Sequence, residues 1–313
     1  MSNPDGSTAP EIVAGCAQRG TGESDLKYFI PIFGSYYHFM NESVLGLYTL
    51  LERHSKLDSR DCRLWYQGSY GQVVQLFSCH PIVRIPVVKP YLRDAATIGV
   101  DIKTLEHVRL SKKEDFVRLL PMIRYLSDRI PPNVAPHGIT LIKRAGKRMY
   151  LETDELAVKL GGFRLPVRVV QLEKESFADQ VNIMRSTSIL VAPHGAGTVN
   201  QMFMPRGGLI VELFPKGYSN WHAAAMAALI GHKLVEIESD KPGVFGREPT
   251  DEVRSLIEKR GWPDSKALRA SQSKDFERVV RDVKSYSIDP IRIMRVVENE
   301  LAQRRSFRNS SAR

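Results

Sequence analysis

Two hydrophobic periods alternate along this chain of 313 residues. Tyr28-Phe29-Ile30-Pro31-Ile32-Phe33 is an apolar run halted by Gly34-Ser35, the pattern of a short buried strand. Val44, Leu45, Leu47, Leu50 and Leu51 then recur at helical spacing. Arg63-Leu64-Trp65-Tyr66 and Ile82-Val83-Arg84-Ile85 predict further strands. Phe116, Leu119, Leu120, Ile123 and Leu126 predict a helix between Ser111 and Ile130, stopped by Pro131-Pro132.

The alternation is clearer beyond that stop. Strands are predicted at Ile139 to Ile142, Val167 to Leu172, Ile189 to Ala192, Leu209 to Phe214 and Lys233 to Ile237. Between them lie helices: one capped by Thr153 and ended by Gly161-Gly162, and one opened by a Ser176/Asp179 capping box and running through Met184. A short one spans Val199 to Met204, and another spans Asn220 to Ile230. Strands alternating with helices imply an α/β fold, a parallel sheet covered on both faces. The reading is two Rossmann-like domains facing a central cleft: a loose tail over 1–25, an amino-terminal domain over 26–135 and a carboxyl-terminal domain over 136–289. Residues 290–313 complete it with a helix over Pro290 to Arg304, its stripe Ile291, Met294, Val297 and Leu301 free to cross back, and a frayed end from Ser306.

Composition narrows the class. The chain is 42% hydrophobic and 26% charged, which is globular. Net charge is +10, of which +6 lies beyond residue 240, yet the basic residues there alternate with acids. That is the signature of solvated helical faces as much as of a polyanion surface. Cys16, Cys62 and Cys79 are odd in number with no CxxC spacing, so a disulfide framework is not expected. The start lacks a basic segment followed by an apolar core, and no apolar stretch approaches the roughly 20 residues of a membrane span. The expectation is a soluble, cytoplasmic protein.

Candidate chemistry gathers at strand ends. Pro193-His194-Gly195-Ala196-Gly197-Thr198 is a glycine-bearing strand-to-helix bend, where backbone N–H groups and a helix start meet a phosphate, or which is simply a tight turn. Asn200 stands where a dinucleotide fingerprint has its third glycine. Lys143-Arg144-Ala145-Gly146-Lys147-Arg148 places four cations after a strand, a grip for a diphosphate or an exposed basic turn.

These pieces, with Ser176-Phe177-Ala178-Asp179-Gln180, Met202-Phe203-Met204-Pro205-Arg206-Gly207 and Val211-Glu212-Leu213-Phe214-Pro215, resemble glycosyltransferase family 61 over Ile139 to Pro215. Gly34-Ser35-Tyr36-Tyr37-His38-Phe39 resembles the family's aromatic–His–Phe segment. Thr198-Val199-Asn200 departs from the Leu-Thr-Asn of many relatives. The resemblance implies a GT-B fold and inverting transfer of a sugar, xylose or N-acetylglucosamine, from a UDP-sugar to a glycan or protein hydroxyl. The chain has no DxD motif, so no metal and no cofactor is expected, and cations must meet the departing diphosphate.

On that footing Arg144 and Arg148 hold the diphosphate, and His194, Gly195, Ala196, Gly197 and Asn200 line it. Glu212 either accepts ribose hydroxyls or pairs with an arginine, and Ser176 and Phe177 either border the base or serve as cap and core. An inverting transferase needs a general base. His38, assisted by Glu42 one helical turn on, is the expected one, against a buried structural histidine; Asp101 is a weaker candidate. Two rival classes remain: a nucleic-acid-binding basic protein, and an NAD(P)-dependent oxidoreductase that uses the Gly195-Ala196-Gly197 turn with Glu212.

Overall fold

The computed structural model describes residues 27–30, 36, 39–53, 57, 63–66, 73–74, 76–77, 83–84, 102–104, 110, 113–132, 138–218, 220–246, 251–262 and 283–311. The chain divides into two compact units, Met1–Pro131 with Ser176–Ala178, and Pro132–Glu175 with Asp179–Arg313.

In the first unit the apolar runs become β1 (Lys27–Ile30), β2 (Arg63–Tyr66), β3 (Val83–Arg84) and β4 (Ile102–Thr104). They form a parallel sheet in the order β3-β2-β1-β4. A π-helical turn, Phe39–Val44, leads into α1 (Leu45–Arg53), and a 3-10 turn, Lys113–Arg118, leads into α2 (Leu119–Asp128). The two helices meet through aromatics: Tyr48 lies edge-on to Tyr125 at 5.5 Å, and Tyr125 stacks on Phe77 at 5.1 Å. The strand β4 was not expected, because Ile102-Lys103-Thr104 has no apolar run to announce it.

The second unit contains β5 (Gly138–Ile142), β6 (Met149–Tyr150), α3 (Thr153–Leu160), β7 (Val167–Val170), α4 (Phe177–Arg185) and β8 (Thr187–Pro193). A 3-10 helix (Ala196–Phe203), β9 (Leu209–Phe214), α5 (His222–Ile230), β10 (Lys233–Glu238) and β11 (Val244–Phe245) follow. Then come α6 (Asp251–Arg260), β12 (Val283–Tyr286) and α7 (Pro290–Ser311). Five strands form one all-parallel sheet in the order β10-β9-β8-β5-β7, and β11-β12-β6 form a smaller one. Chain order reverses between β5 and β8, so the crevice beyond their carboxyl ends is the switch point where such sheets take ligands.

Alternation along the strands sets the core. Ile139, Leu141, Ile189, Val191, Leu209, Val211 and Leu213 share one face, packed with Leu156 and Leu160 of α3 and Ile293 and Val297 of α7. Ala192, Ile210, Glu212 and Phe214 point to the other face.

Three local expectations are corrected. Thr153 is the first helical residue of α3 rather than its cap, and its hydroxyl donates to the Tyr150 carbonyl at 2.9 Å. The helix after Gly195 begins at Ala196 and is 3-10 throughout, because the Thr198 N–H and hydroxyl both donate to the Gly195 carbonyl, at 3.0 and 2.7 Å. The final helix runs to Ser311 instead of fraying from Ser306; Met294, Val297 and Leu301 of the expected stripe do face the core, but Ile293 is buried in place of Ile291, which is 48% exposed. No described helix is long and apolar enough to cross a membrane.

That exchange of one isoleucine for the other is measurable. Ile293→Ala is expected to lower the unfolding free energy by about 2–5 kcal/mol in urea denaturation, and Ile291→Ala by less than about 0.5 kcal/mol.

Candidate functional site

The chain leaves β5 into the basic turn and leaves β8 into the glycine-bearing bend, so strand order alone brings the two together. Lys143 turns aside to Asp154 of α3 at 2.6 Å, and Lys147 is exposed. Arg144 turns inward and donates from Nη1 to the His194 carbonyl. Gly195 makes this possible, since a Cβ there would overlap the Arg144 guanidinium. Gly197 is less constrained; its Cβ would meet Leu172 Cδ1 at 3.3 Å.

Arg148 reaches the same place by a different route. Gly146 (φ 88°) and Arg148 (φ 54°) are both left-handed, which folds the turn back into β6. The Arg148 N–H is anchored on the Val283 carbonyl at 2.9 Å, and its guanidinium carbon lies 5.5 Å from the Tyr218 ring centre. Neither arginine has a carboxylate within ion-pair distance among the described residues. Burial, and then the like charge of Arg148, lower Arg144 to about 10, still cationic at neutral pH. Glu173 offsets this only in part, acting on Arg144 from beyond ion-pair distance, so the two cations share the crevice with little compensating charge among the described residues.

The bend above them is half-exposed at Gly195, Ala196 and Gly197. The first N–H groups of a helix have no partner within it, so they add donors to the same edge. His194 itself is buried, its ring stacked on Phe214 at 4.9 Å and tilted against Tyr218 at 4.8 Å. Its Nδ1 lies 2.7 Å from Glu212 Oε1.

Glu212 was expected to accept ribose hydroxyls or to pair with an arginine. It is fully buried beneath the bend and pairs with His194. On β9 it stands in register with Ala192 of β8 and Glu236 of β10. Burial pushes the carboxyl up to about 8. Asn200 is also fully buried, and its amide donates to Gln180 Oε1 at 2.7 Å. Gln180 in turn donates to the Leu172 and Glu175 carbonyls, so Asn200 pins the loop before α4. Ser176 and Phe177 fall in the residue set of the first unit, and Phe177 is buried. His38 and Asp101 lie outside the described residues, as does the side chain of Glu42. Among the described residues no three His, Cys, Asp or Glu side chains gather as a metal site.

Two aromatics at the site escaped the sequence reading. Tyr286 of β12 donates to the Leu213 carbonyl at 2.8 Å, and Tyr218 sits between His194 and Arg148. Tyr218 had a signal, an aromatic just after Gly217 at the end of a strand; Tyr286 follows a stretch with no comparable pattern.

The fold and site define a doubly wound α/β unit with two arginines at its switch point. Comparison with known proteins is more specific: the family model Glycosyltransferase 61 matches residues 36–211. The chain belongs to glycosyltransferase family 61. It is 38% identical over 100 residues to protein O-linked-mannose beta-1,4-N-acetylglucosaminyltransferase 2 of Mus musculus, covering 29% of this chain and 17% of that protein. The Xenopus laevis protein of that name is 34% identical over 102 residues, 32% of this chain and 18% of the relative. The Danio rerio one is 26% identical over 210 residues, 58% of this chain and 35% of the relative. The chain thus spans about a third or less of the length of these relatives.

Two outcomes follow from the geometry. Gly195→Ala is expected to cost about 1–3 kcal/mol in urea denaturation and Gly197→Ala less, because only the first displaces a guanidinium. Glu212 is raised from 4.5 to about 8 in the folded state, so the folded chain keeps a proton that the unfolded chain loses. Its stabilising contribution is complete below about 4.5, declines as the pH rises and is gone above about 8. Glu212→Gln is therefore expected to flatten the fall in unfolding free energy across that window, read by denaturation at successive pH values.

Proposed function

We propose that the chain is a glycosyltransferase that moves a sugar from a UDP-sugar to a hydroxyl of a glycan or glycoprotein, with inversion at the anomeric carbon. The observation that carries this reading is the convergence of Arg144 and Arg148, without a carboxylate within ion-pair distance among the described residues, beneath the half-exposed bend Gly195-Ala196-Gly197. A diphosphate has the charge and the spread of oxygens that such a site satisfies. N-acetylglucosamine is the first sugar to test, because the relatives' names specify it; xylose is the second.

In this reading the acceptor hydroxyl loses its proton to a general base, its oxygen forms a bond to C1, and the bond from C1 to the diphosphate oxygen breaks. Negative charge grows on the departing diphosphate. Arg144 and Arg148 meet that charge, so their contribution is larger in the transition state than in the ground state. No metal ion is assigned to the step, since the two guanidinium groups supply the compensating charge and the sequence lacks a DxD motif. The proposed arrangement is GT-B, with the donor on the second unit and His38, assisted by Glu42, as the base from the first. Each unit's parallel sheet supports it.

The experiment is calorimetric titration of UDP into wild type, Arg144→Ala, Arg148→Ala and the double variant, with product mass spectrometry from UDP-N-acetylglucosamine and UDP-xylose. Each single change is expected to weaken UDP about 10–100-fold and to lower kcat as well. A folded double variant that binds UDP as wild type does would overturn the assignment.

A further inference from the structure

The proposed reaction leaves the His194–Glu212 pair without a task. The pair is not an exposed ion pair, since Glu212 is fully buried and only one of its oxygens has a partner. Its Oε2 is buried with no hydrogen bond at all. A carboxylate in that position would leave charge on an unpaired oxygen, whereas a neutral acid leaves only a weak acceptor. The geometry therefore favours the protonated acid.

We infer that Glu212 is a positioning residue of the diphosphate site: as a neutral acid it donates to His194 Nδ1 and holds the residue whose carbonyl anchors Arg144 and whose ring backs Tyr218 beneath Arg148. This rests on the diphosphate reading above. It also gives the site a charge state. With Glu212 protonated, the imidazole keeps its own proton on Nε2 and the pair is neutral. Loss of one proton to solvent reverses the bond: Nδ1–H now donates to a carboxylate, Nε2 carries no proton, and the pair bears one negative charge. That charge opposes a bound diphosphate. Burial places the change near pH 8.

Other charged groups surround the pair. Tyr286 stands on β12, Arg144 and Arg148 on the basic turn, Glu173 before α4 acting on Arg144, Tyr218 after β9, and Glu236 at the matching register position of β10. The 3-10 helix brings no titratable side chain, α5 brings His222, and α4 brings Asp179 and Arg185. Tyr286 is pushed well above 10, and Arg144 lies near 10, so both keep their protons between pH 7 and 9.

The test is UDP affinity of the full chain by calorimetry at pH 7, 8 and 9, for wild type, Glu212→Gln and Glu212→Leu, with melting curves to show that each is folded. Wild type is expected to weaken about tenfold from pH 7 to 9. Glu212→Gln, which still donates to Nδ1 but cannot ionise, is expected to bind about threefold more weakly than wild type at pH 7 and to hold that affinity to pH 9. Glu212→Leu is expected to be weaker still at every pH. A wild-type affinity that is flat with pH, or a Glu212→Gln profile parallel to wild type, overturns the inference while leaving the diphosphate reading intact. Wild type that binds no UDP at any pH sinks both. The wild-type profile decides even if neither variant folds.

Discussion

The site hangs on one hydrogen bond, from the Arg144 guanidinium to the His194 carbonyl. It joins the residues that follow β5 to those that follow β8, the two neighbours between which strand order reverses. At that point successive connections leave on opposite faces of the sheet, so a crevice opens and side chains from both strand ends turn into it. The bond needs a residue without a Cβ next to the carbonyl, because the guanidinium occupies that volume. Arg144 and Gly195 are therefore one structural decision, although 51 positions apart.

What surrounds the bond follows from charge in a poorly solvated place. Two arginines cannot share a half-buried crevice cheaply, and burial with mutual repulsion is what lowers Arg144. A carboxylate beside them would relieve that cost and remove the site. Glu212 is instead sealed beneath the bend and directed to His194. Its burial keeps it from neutralising the arginines at ordinary pH. The tyrosines act similarly: Tyr218 offers Arg148 a ring face and Tyr286 binds a backbone carbonyl, so neither brings a competing anion.

Much of this was legible from residue pattern, and the failures have physical causes. The strands Arg63–Tyr66 and Leu209–Phe214 were read to the residue, since each is a short run bounded by polar or glycine-rich breaks. The basic turn and the glycine-bearing bend were recognised because both follow such strands, and the parallel sheet joins them. Glu212 was expected at a ribose or an arginine because a sequence gives its position on a strand but not that the His194 ring, 18 residues earlier, lies against it. Asn200 was misplaced for the same kind of reason: its partner Gln180 belongs to a preceding helix 20 residues away, and nothing local signals that bond. The short helix expected over Val199 to Met204 begins earlier, at Ala196, where the Thr198 hydroxyl on the Gly195 carbonyl tightens the first turn. On α7, Met294, Val297 and Leu301 of the expected stripe pack on the core and only Ile291 misses, since Ile293 has the same side chain and the buried position.

The two arginines are not equivalent. Arg144 is fixed by a hydrogen bond to backbone and by the crowded space at Gly195, so its charge stands in place before any ligand arrives. Arg148 starts from a left-handed backbone position, its Nε is buried without a partner, and its guanidinium lies only within cation–π range of a ring. A cation–π contact is worth about 0.5–2 kcal/mol, less than a charge-assisted hydrogen bond to phosphate. Arg148 therefore gains more from a ligand than Arg144 does, and Arg144 loses less by waiting for one. A preorganised cation serves best where charge develops during reaction, and a cation with unsatisfied donors serves best where the ligand first binds. Under the proposed transfer, Arg144 would serve the departing oxygen and Arg148 the capture of the nucleotide.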